Sequence, residues 1–140
     1  MKRLVQIFAL AILVLFSYQP MAHAQSATQA DSDLKVIGVK MWASWCGKCK
    51  QLDPKLSNVK PQFEGQPILF TQFDMTNDFT ISQSKKMAKL LGLSDLFQKH
   101  KGSTGYMVLL DAQTHKVLTT LKHNQSEQEL KQQIGSVLSE

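Results

Sequence analysis

The stretch Trp42-Ala43-Ser44-Trp45-Cys46-Gly47-Lys48-Cys49-Lys50 holds both cysteines of the chain and decides how the rest is read. Leading into it, Leu34 to Ala43 (LKVIGVKMWA) is short, apolar and followed by the turn-like Ser44, which predicts a buried strand. Beyond it, Leu52, Leu56 and Val59 recur at helical spacing, so a helix is expected from Cys46 onward. A cysteine at a helix N-terminus faces unpaired N–H groups and the positive end of the helix dipole, and both favour its thiolate. The thiolate is the nucleophile in disulfide exchange, so this placement activates Cys46. Cys49, one turn inside, suits the resolving role: it attacks a mixed disulfide and releases the product. A purely structural bridge between two residues so close in sequence would stabilise little, because the entropic gain shrinks with the loop it closes. Chemistry is the better reason for the pair.

Working outward, Pro54 falls inside the predicted helix, where it lacks an N–H and crowds the preceding turn, so a kink is expected. Pro61 ends that helix, and Pro67 to Asp74 (PILFTQFD) reads as a second strand. Ser82 to Leu91 is expected to be helical, with Ile81, Met87, Ala88 and Leu91 facing inward. Gly92 stops it, and Ser94 caps a short continuation through Leu96 and Phe97. Tyr106 to Asp111 (YMVLLD) is a third strand, residues 112–115 a turn, and Lys116 to Lys122 (KVLTTLK) a fourth that returns as a hairpin. The last helix opens at Ser126, with Glu129 completing a capping box and Leu130, Ile134, Val137 and Leu138 forming its stripe. Strand, helix, strand, helix, strand, strand, helix implies an α/β domain. Its mixed central sheet would carry helices on both faces.

The N-terminus reads differently. Lys2 and Arg3 precede a run from Leu4 to Phe16 that is apolar but for Gln6, Pro20 breaks it, and Ala22-His23-Ala24 offers small residues for cleavage. This is the layout of a secretory signal peptide over residues 1–24. The apolar run is short of the ~20 residues a membrane-spanning helix needs. Residues 25–33 are polar and are expected to be a flexible lead-in, which predicts one domain over 34–140 and no membrane span after the signal is removed. Losing Lys2 and Arg3 lowers the formal charge from +5 to +3. The remaining lysines are scattered, without the interleaved Arg and aromatic residues of nucleic-acid surfaces, so no nucleic-acid partner is indicated. Lys85, Lys86 and Lys89 fall on one helix as a solvated face.

The segment WASWCGKCK followed by Pro54 resembles the active-site segment of thioredoxins, W-C-G-P-C-K with a proline five residues after the second cysteine. Trp45, Cys46, Gly47, Cys49, Lys50 and Pro54 match it position for position, and the order of strands and helices matches the thioredoxin fold. The resemblance is strongest over Val36 to Pro54 and topological beyond. It implies a redox-active disulfide Cys46–Cys49, with Cys46 attacking and Cys49 resolving, and Trp45 shaping the surface that receives substrate. It also implies a thiol–disulfide oxidoreductase that needs no cofactor, and the charged start and short apolar core of residues 1–24 point to an exported protein of the periplasm. Its partners would be cysteine-containing proteins and a redox protein that resets the pair, such as a membrane thiol reductant. Trp-Cys-Gly-x-Cys is similar to the reducing members of the family. Trp42 reads as core.

Three positions depart from the family pattern. Lys48 stands where proline is usual; a cation there favours thiolate over disulfide and pulls towards oxidation, unless the side chain points wholly into solvent. Lys40, six residues before Cys46, replaces a buried acid that moves protons to the resolving cysteine. It is expected either to snorkel out or, if desolvated, to serve as a base. The family's cis-proline opposite the cysteines falls at Tyr106, and no proline follows Pro67. Thr104, Gly105 and Tyr106 are therefore the expected substrate-facing wall, with Gly102 and Gly105 of the loop Lys101 to Tyr106 permitting unusual backbone angles. The family's first strand and helix have almost no residues to form them, and Asn77 to His100 is longer than in a minimal thioredoxin.

The rival reading is a Cu(I)- or Zn-binding module that uses the same two thiolates with a His or Met added, His100 being the candidate nearest the glycine loop. Against it, His115 and His123 are too far apart for common zinc spacing and no second CxxC exists, so no metal is assigned.

Overall fold

A computed structural model describes residues 34–139. The expected signal peptide (1–24) and lead-in (25–33), and the last residue of the expected domain, lie outside the described residues. The elements run β1 (Val36–Trp42), α1 (Gly47–Val59), a 3-10 turn (Lys60–Phe63), β2 (Ile68–Asp74), α2 (Asp78–Leu90), α3 (Ser94–His100), β3 (Tyr106–Asp111), β4 (Val117–Lys122) and α4 (Glu127–Ser139). They build one four-stranded sheet in the order β2-β1-β3-β4. β1 pairs parallel with β2 and antiparallel with β3, and β3 pairs antiparallel with β4. The crossover, the hairpin and the mixed sheet with helices on both faces are as the sequence predicts.

Alternation along the central strands splits the core in two, because successive strand side chains point to opposite faces. Ile37, Val39 and Met41 join Phe73, Ala88, Leu93, Phe97, Val108 and Leu110 under α2 and α3, and Cys46 and Cys49 belong to this layer. Val36 joins Leu52, Leu56, Val59, Met107, Leu109, Leu121, Leu130 and Ile134 under α1 and α4. The two layers meet at β1, which is therefore a buried rail that ends at the cysteine turn.

Local chemistry corrects three expectations. The second helix starts at Asp78, not Ser82: Asn77 Oδ1 accepts from Thr80 N at 3.0 Å, and Asn77 N donates to Thr80 Oγ1 at 3.1 Å. This reciprocal cap satisfies donors that would otherwise be orphaned at the helix start. Met87 faces outward, 40 % exposed, with Thr71 Oγ1 donating to its sulfur. The inward role at that turn falls to Ser84, which exchanges two hydrogen bonds with the backbone of Asp74. Ser94 is the first helical residue of α3 and makes no side-chain cap. The cap of α4 is as expected, with Ser126 N donating to Glu129 Oε2 at 2.7 Å and Glu129 N to Ser126 Oγ at 3.3 Å.

Candidate active site

β1 delivers the chain to the C-terminal end of the sheet, where a tight turn starts α1. Cys46 N donates to Ala43 O at 3.1 Å, closing that turn. The β2–α2 connection braces it from the side. Met75 N donates to Trp42 O at 2.7 Å, Ser44 N to Thr76 Oγ1 at 3.0 Å and Trp45 Nε1 to Thr76 O at 3.2 Å. Trp45 is thereby fixed by its nitrogen while 60 % of its surface stays in solvent.

Cys46 is the N-cap of α1 in extended backbone conformation, and its Sγ accepts from Cys49 N at 3.1 Å. The two cysteines are joined as a disulfide with Cα atoms 5.3 Å apart. Cys46 retains 5 % of its surface and Cys49 only 1 %. Their electrostatic surroundings differ in sign: Cys46 faces an N–H, whereas Cys49 Sγ lies 3.7 Å from the carbonyl oxygen of Met41. A donor stabilises a thiolate and an acceptor a thiol. The first turn of α1 carries no acid to oppose charge on Cys46. Reduced, the pair can hold one thiolate outside and one thiol inside.

Gly47 is exposed, with nothing within 4 Å of where a Cβ would stand. Pro54 sits within α1, exposed, while Leu52 and Leu56 beside it are buried. Lys48 does not extend wholly into solvent: its stem runs over Gly105. Gly105 is buried at φ 95° and donates from its N–H to Met41 O at 2.9 Å. The Met41 carbonyl thus sits between the resolving cysteine and the wall. Thr104 is half-buried next to it. Tyr106, opposite Met41 in the β1–β3 ladder, turns its ring to α3, where its hydroxyl meets His100 Nδ1 at 2.7 Å. Burial pushes the Tyr106 hydroxyl up, with a hydrogen bond from Ser103 working against it. Burial, and then Lys99, push the His100 imidazole down. Both shifts favour the neutral forms, and His100 Nδ1 is engaged by the Tyr106 hydroxyl.

Lys40 turns inward. Its Nζ lies 2.7 Å from Asp53 Oδ1, and Trp42 Nε1 donates to Asp53 Oδ2 at 2.9 Å. Trp42 is thus a half-buried hydrogen-bonding partner as well as core. Lys60 joins this polar corner, its ammonium pushed down by burial and then by Lys40, with Asp53 opposing. The structure therefore brings Trp45, Cys46, Lys48, Cys49 and Gly105 together at the mouth and places Lys40 and Pro54 behind or beside it. Asp53, Thr76 and the Met41 carbonyl were not singled out from sequence. Asp53 had one local signal, its position one turn after Cys49; the other two act through backbone or loop contacts that leave no pattern.

Among the described residues no group of three or more His, Cys, Asp or Glu is placed to hold a metal ion. No described helix is long and apolar enough to cross a membrane.

The sequence model of the family described as Thioredoxin matches residues 20–101. Thioredoxin of Chlorobaculum thiosulfatiphilum is 44 % identical over 39 residues, covering 28 % of this chain and 35 % of that protein. Thioredoxin of Coprinus comatus is 28 % identical over 53 residues, covering 38 % of this chain and 50 % of that one. The chain thus spans about a third to a half of the curated relatives it matches. In three dimensions it is similar to StoA from Bacillus subtilis, with TM-score 0.50 and 16 % identity over 71 % of this chain and 82 % of that one. It is also similar to a protein assigned as thiol:disulfide interchange protein DsbE from Chlorobium tepidum, with TM-score 0.51 and 20 % identity over 79 % and 84 %. At such identities these two show the fold, while the family match spans more than half of the sequence and includes the cysteine turn. The chain belongs to the thioredoxin family.

Proposed function

We propose that this protein exchanges disulfides with cysteine-bearing protein partners through Cys46 and Cys49, as an exported protein of the periplasm, running in the reducing direction. The observation that carries the reading is the asymmetry of the pair: an N–H at 3.1 Å from Cys46 Sγ and a carbonyl at 3.7 Å from Cys49 Sγ. The Cys46 thiolate attacks one sulfur of a partner disulfide, that bond breaks, and the partner's other sulfur leaves as thiolate. Cys49 loses its proton and attacks Cys46 Sγ, which frees the second partner thiol and closes the Cys46–Cys49 bond. A membrane-held thiol reductant returns the two electrons. Trp45, standing 60 % exposed beside Cys46, offers the partner its first contact. The reducing direction is supported by the Trp-Cys-Gly-x-Cys pattern and by relatives that are themselves thioredoxins. Export is supported by the pattern of residues 1–24.

Equilibrating the purified protein against glutathione buffers and reading its reduction potential tests this. A value near the ~−270 mV of thioredoxins supports a reductant, and one near ~−120 mV reverses the direction. Cys46→Ser should abolish exchange and Cys49→Ser should trap mixed disulfides with partners. Full activity in both variants would overturn the reading.

A further inference from the structure

Lys48 lies between the two cysteines, and its side chain has a defined seat. A Cβ placed on Gly105 would stand 2.5 Å from Lys48 Cβ, 3.2 Å from its Cδ and 3.4 Å from its Cγ. The first of these approaches is one that real Cβ atoms essentially never show, and it is to the root of the lysine side chain, so a residue larger than glycine would displace the stem. The seat is itself fixed, because Gly105 adopts φ 95° and its N–H is bound to Met41 O at 2.9 Å. Among the described residues the far end of Lys48 meets no side-chain or backbone partner. The ion pair found among the described residues joins Lys40 to Asp53, and no side-chain hydrogen bond there involves Lys48. No carboxylate stands in the first turn of α1, and Lys50 and Lys101, on the same turn and on the wall loop, add further exposed cations.

A partner cysteine must approach Cys46 Sγ to within a covalent S–S bond, ~2.05 Å. Since neighbouring Cα atoms are ~3.8 Å apart, the residues flanking that cysteine come within reach of a lysine rooted two positions from Cys46. We infer that Lys48, seated on Gly105, is a specificity-determining residue that selects partner segments carrying a carboxylate beside the reacting cysteine. The inference rests on the exchange reading above and names the chemistry of its partner. Gly105 acts as the positioning residue. The pairing is solvent-exposed, so the selection is modest and is screened by salt.

The test uses pre-reduced protein and three peptide disulfides that differ only in the residue beside the cysteine: Glu, Gln or Lys. Second-order rates of peptide reduction are measured at low salt and again in high salt, with a small neutral disulfide as control. Comparing the Glu-to-Lys rate ratio between wild type and Lys48→Glu cancels the peptides' own reactivity. We expect that ratio to fall by more than about threefold in Lys48→Glu, to be intermediate in Lys48→Met, and to lose its dependence on residue 48 in high salt. Gly105→Ala, if folded, should match Lys48→Met, since it unseats the stem. A ratio that changes less than this in Lys48→Glu, while wild type and variant both reduce the neutral disulfide, overturns the inference and leaves the exchange reading standing. A wild-type protein inert towards all three peptides and the neutral disulfide overturns both. A folded Gly105→Ala protein that keeps the wild-type ratio refutes the seat.

Discussion

Lys40 and Asp53 form an ion pair at 2.7 Å that ties β1 to α1 just behind the cysteine turn. The two are thirteen residues apart, and the other carboxylate oxygen of Asp53 is occupied by Trp42 Nε1. Lys40 keeps 14 % of its side-chain surface and Asp53 35 %, so the pair is partly desolvated and partly screened. Removing one partner leaves a half-buried charge without its complement.

Lys40→Met and Asp53→Leu should each lower stability by about 1–2 kcal/mol, a figure already discounted for the exposure of Asp53. The double variant should lose less than the sum of the two, because no unpaired charge is left. Chemical denaturation of all four proteins measures the coupling; strict additivity would show that the pair is energetically idle.

In the reduced protein the two thiols should titrate apart. Cys46, receiving an N–H at the helix start, should ionise below the ~8.5 of a free thiol, and Cys49, buried against the Met41 carbonyl, above it. Ultraviolet absorbance of the thiolate against pH, with Cys49→Ser to isolate the first step, checks this. Two coincident transitions near the free value would contradict the asymmetry.

Gly38 sits in mid-β1 where the neighbouring side chains close over the strand. A Cβ there would meet Phe70 Cδ1 at 3.0 Å, Leu109 Cδ2 at 3.1 Å and Met107 Sδ at 3.3 Å. Gly38→Ala should therefore cost about 1–3 kcal/mol through overpacking, despite the better strand propensity of alanine. The midpoint of urea unfolding, with an unchanged slope, reads the effect.

Asp111 sets the pH response of the β3–β4 turn. Hydrogen bonds from the backbone and hydroxyl of Thr114 hold its carboxyl below the ordinary value of 3.8, with desolvation opposing them and Gln113 N and His115 adding to them. The folded pKa is depressed, so the stabilisation is complete above 3.8 and is lost as pH falls through the folded value. Asp111→Asn should be less stable than wild type at neutral pH, and the gap should close as pH drops below that window. Thermal midpoints across the acid range test it; a gap that persists at the lowest pH would place the effect elsewhere than in the charge.

What could be read in advance follows from what is local. The strand ending at Trp42, the helix starting at the cysteines and the hairpin from Tyr106 to Lys122 are written in apolar spacing and turn residues. Periodicity therefore placed them within a residue or two. The start of α2 was misplaced because Asn77 and Thr80 cap through side chains amid few apolar residues, so the stripe alone began late. Met87 was assigned inward because hydrophobicity does not distinguish a core methionine from one on the flank of an exposed face. Cys46 and Cys49 were legible because their chemistry depends on a strand–helix junction that the sequence encodes. The Lys40–Asp53 pair and the Lys48 seat on Gly105 join elements whose relative placement emerges only from packing, so no spacing announces them.

β1 has a partner strand along both edges, parallel on one side and antiparallel on the other, and a packed layer on each face. β3 shares this position, and the amide protons of the two strands have no route to solvent short of disrupting the sheet, so they should be the slowest in the domain to exchange with deuterium, at a rate set by global opening. The cysteine turn hangs directly from β1. When a partner protein is covalently attached to Cys46, any pull on the mixed disulfide is borne by one of the two central strands of the sheet. The sulfur atoms can then trade places while the framework beneath them stays still.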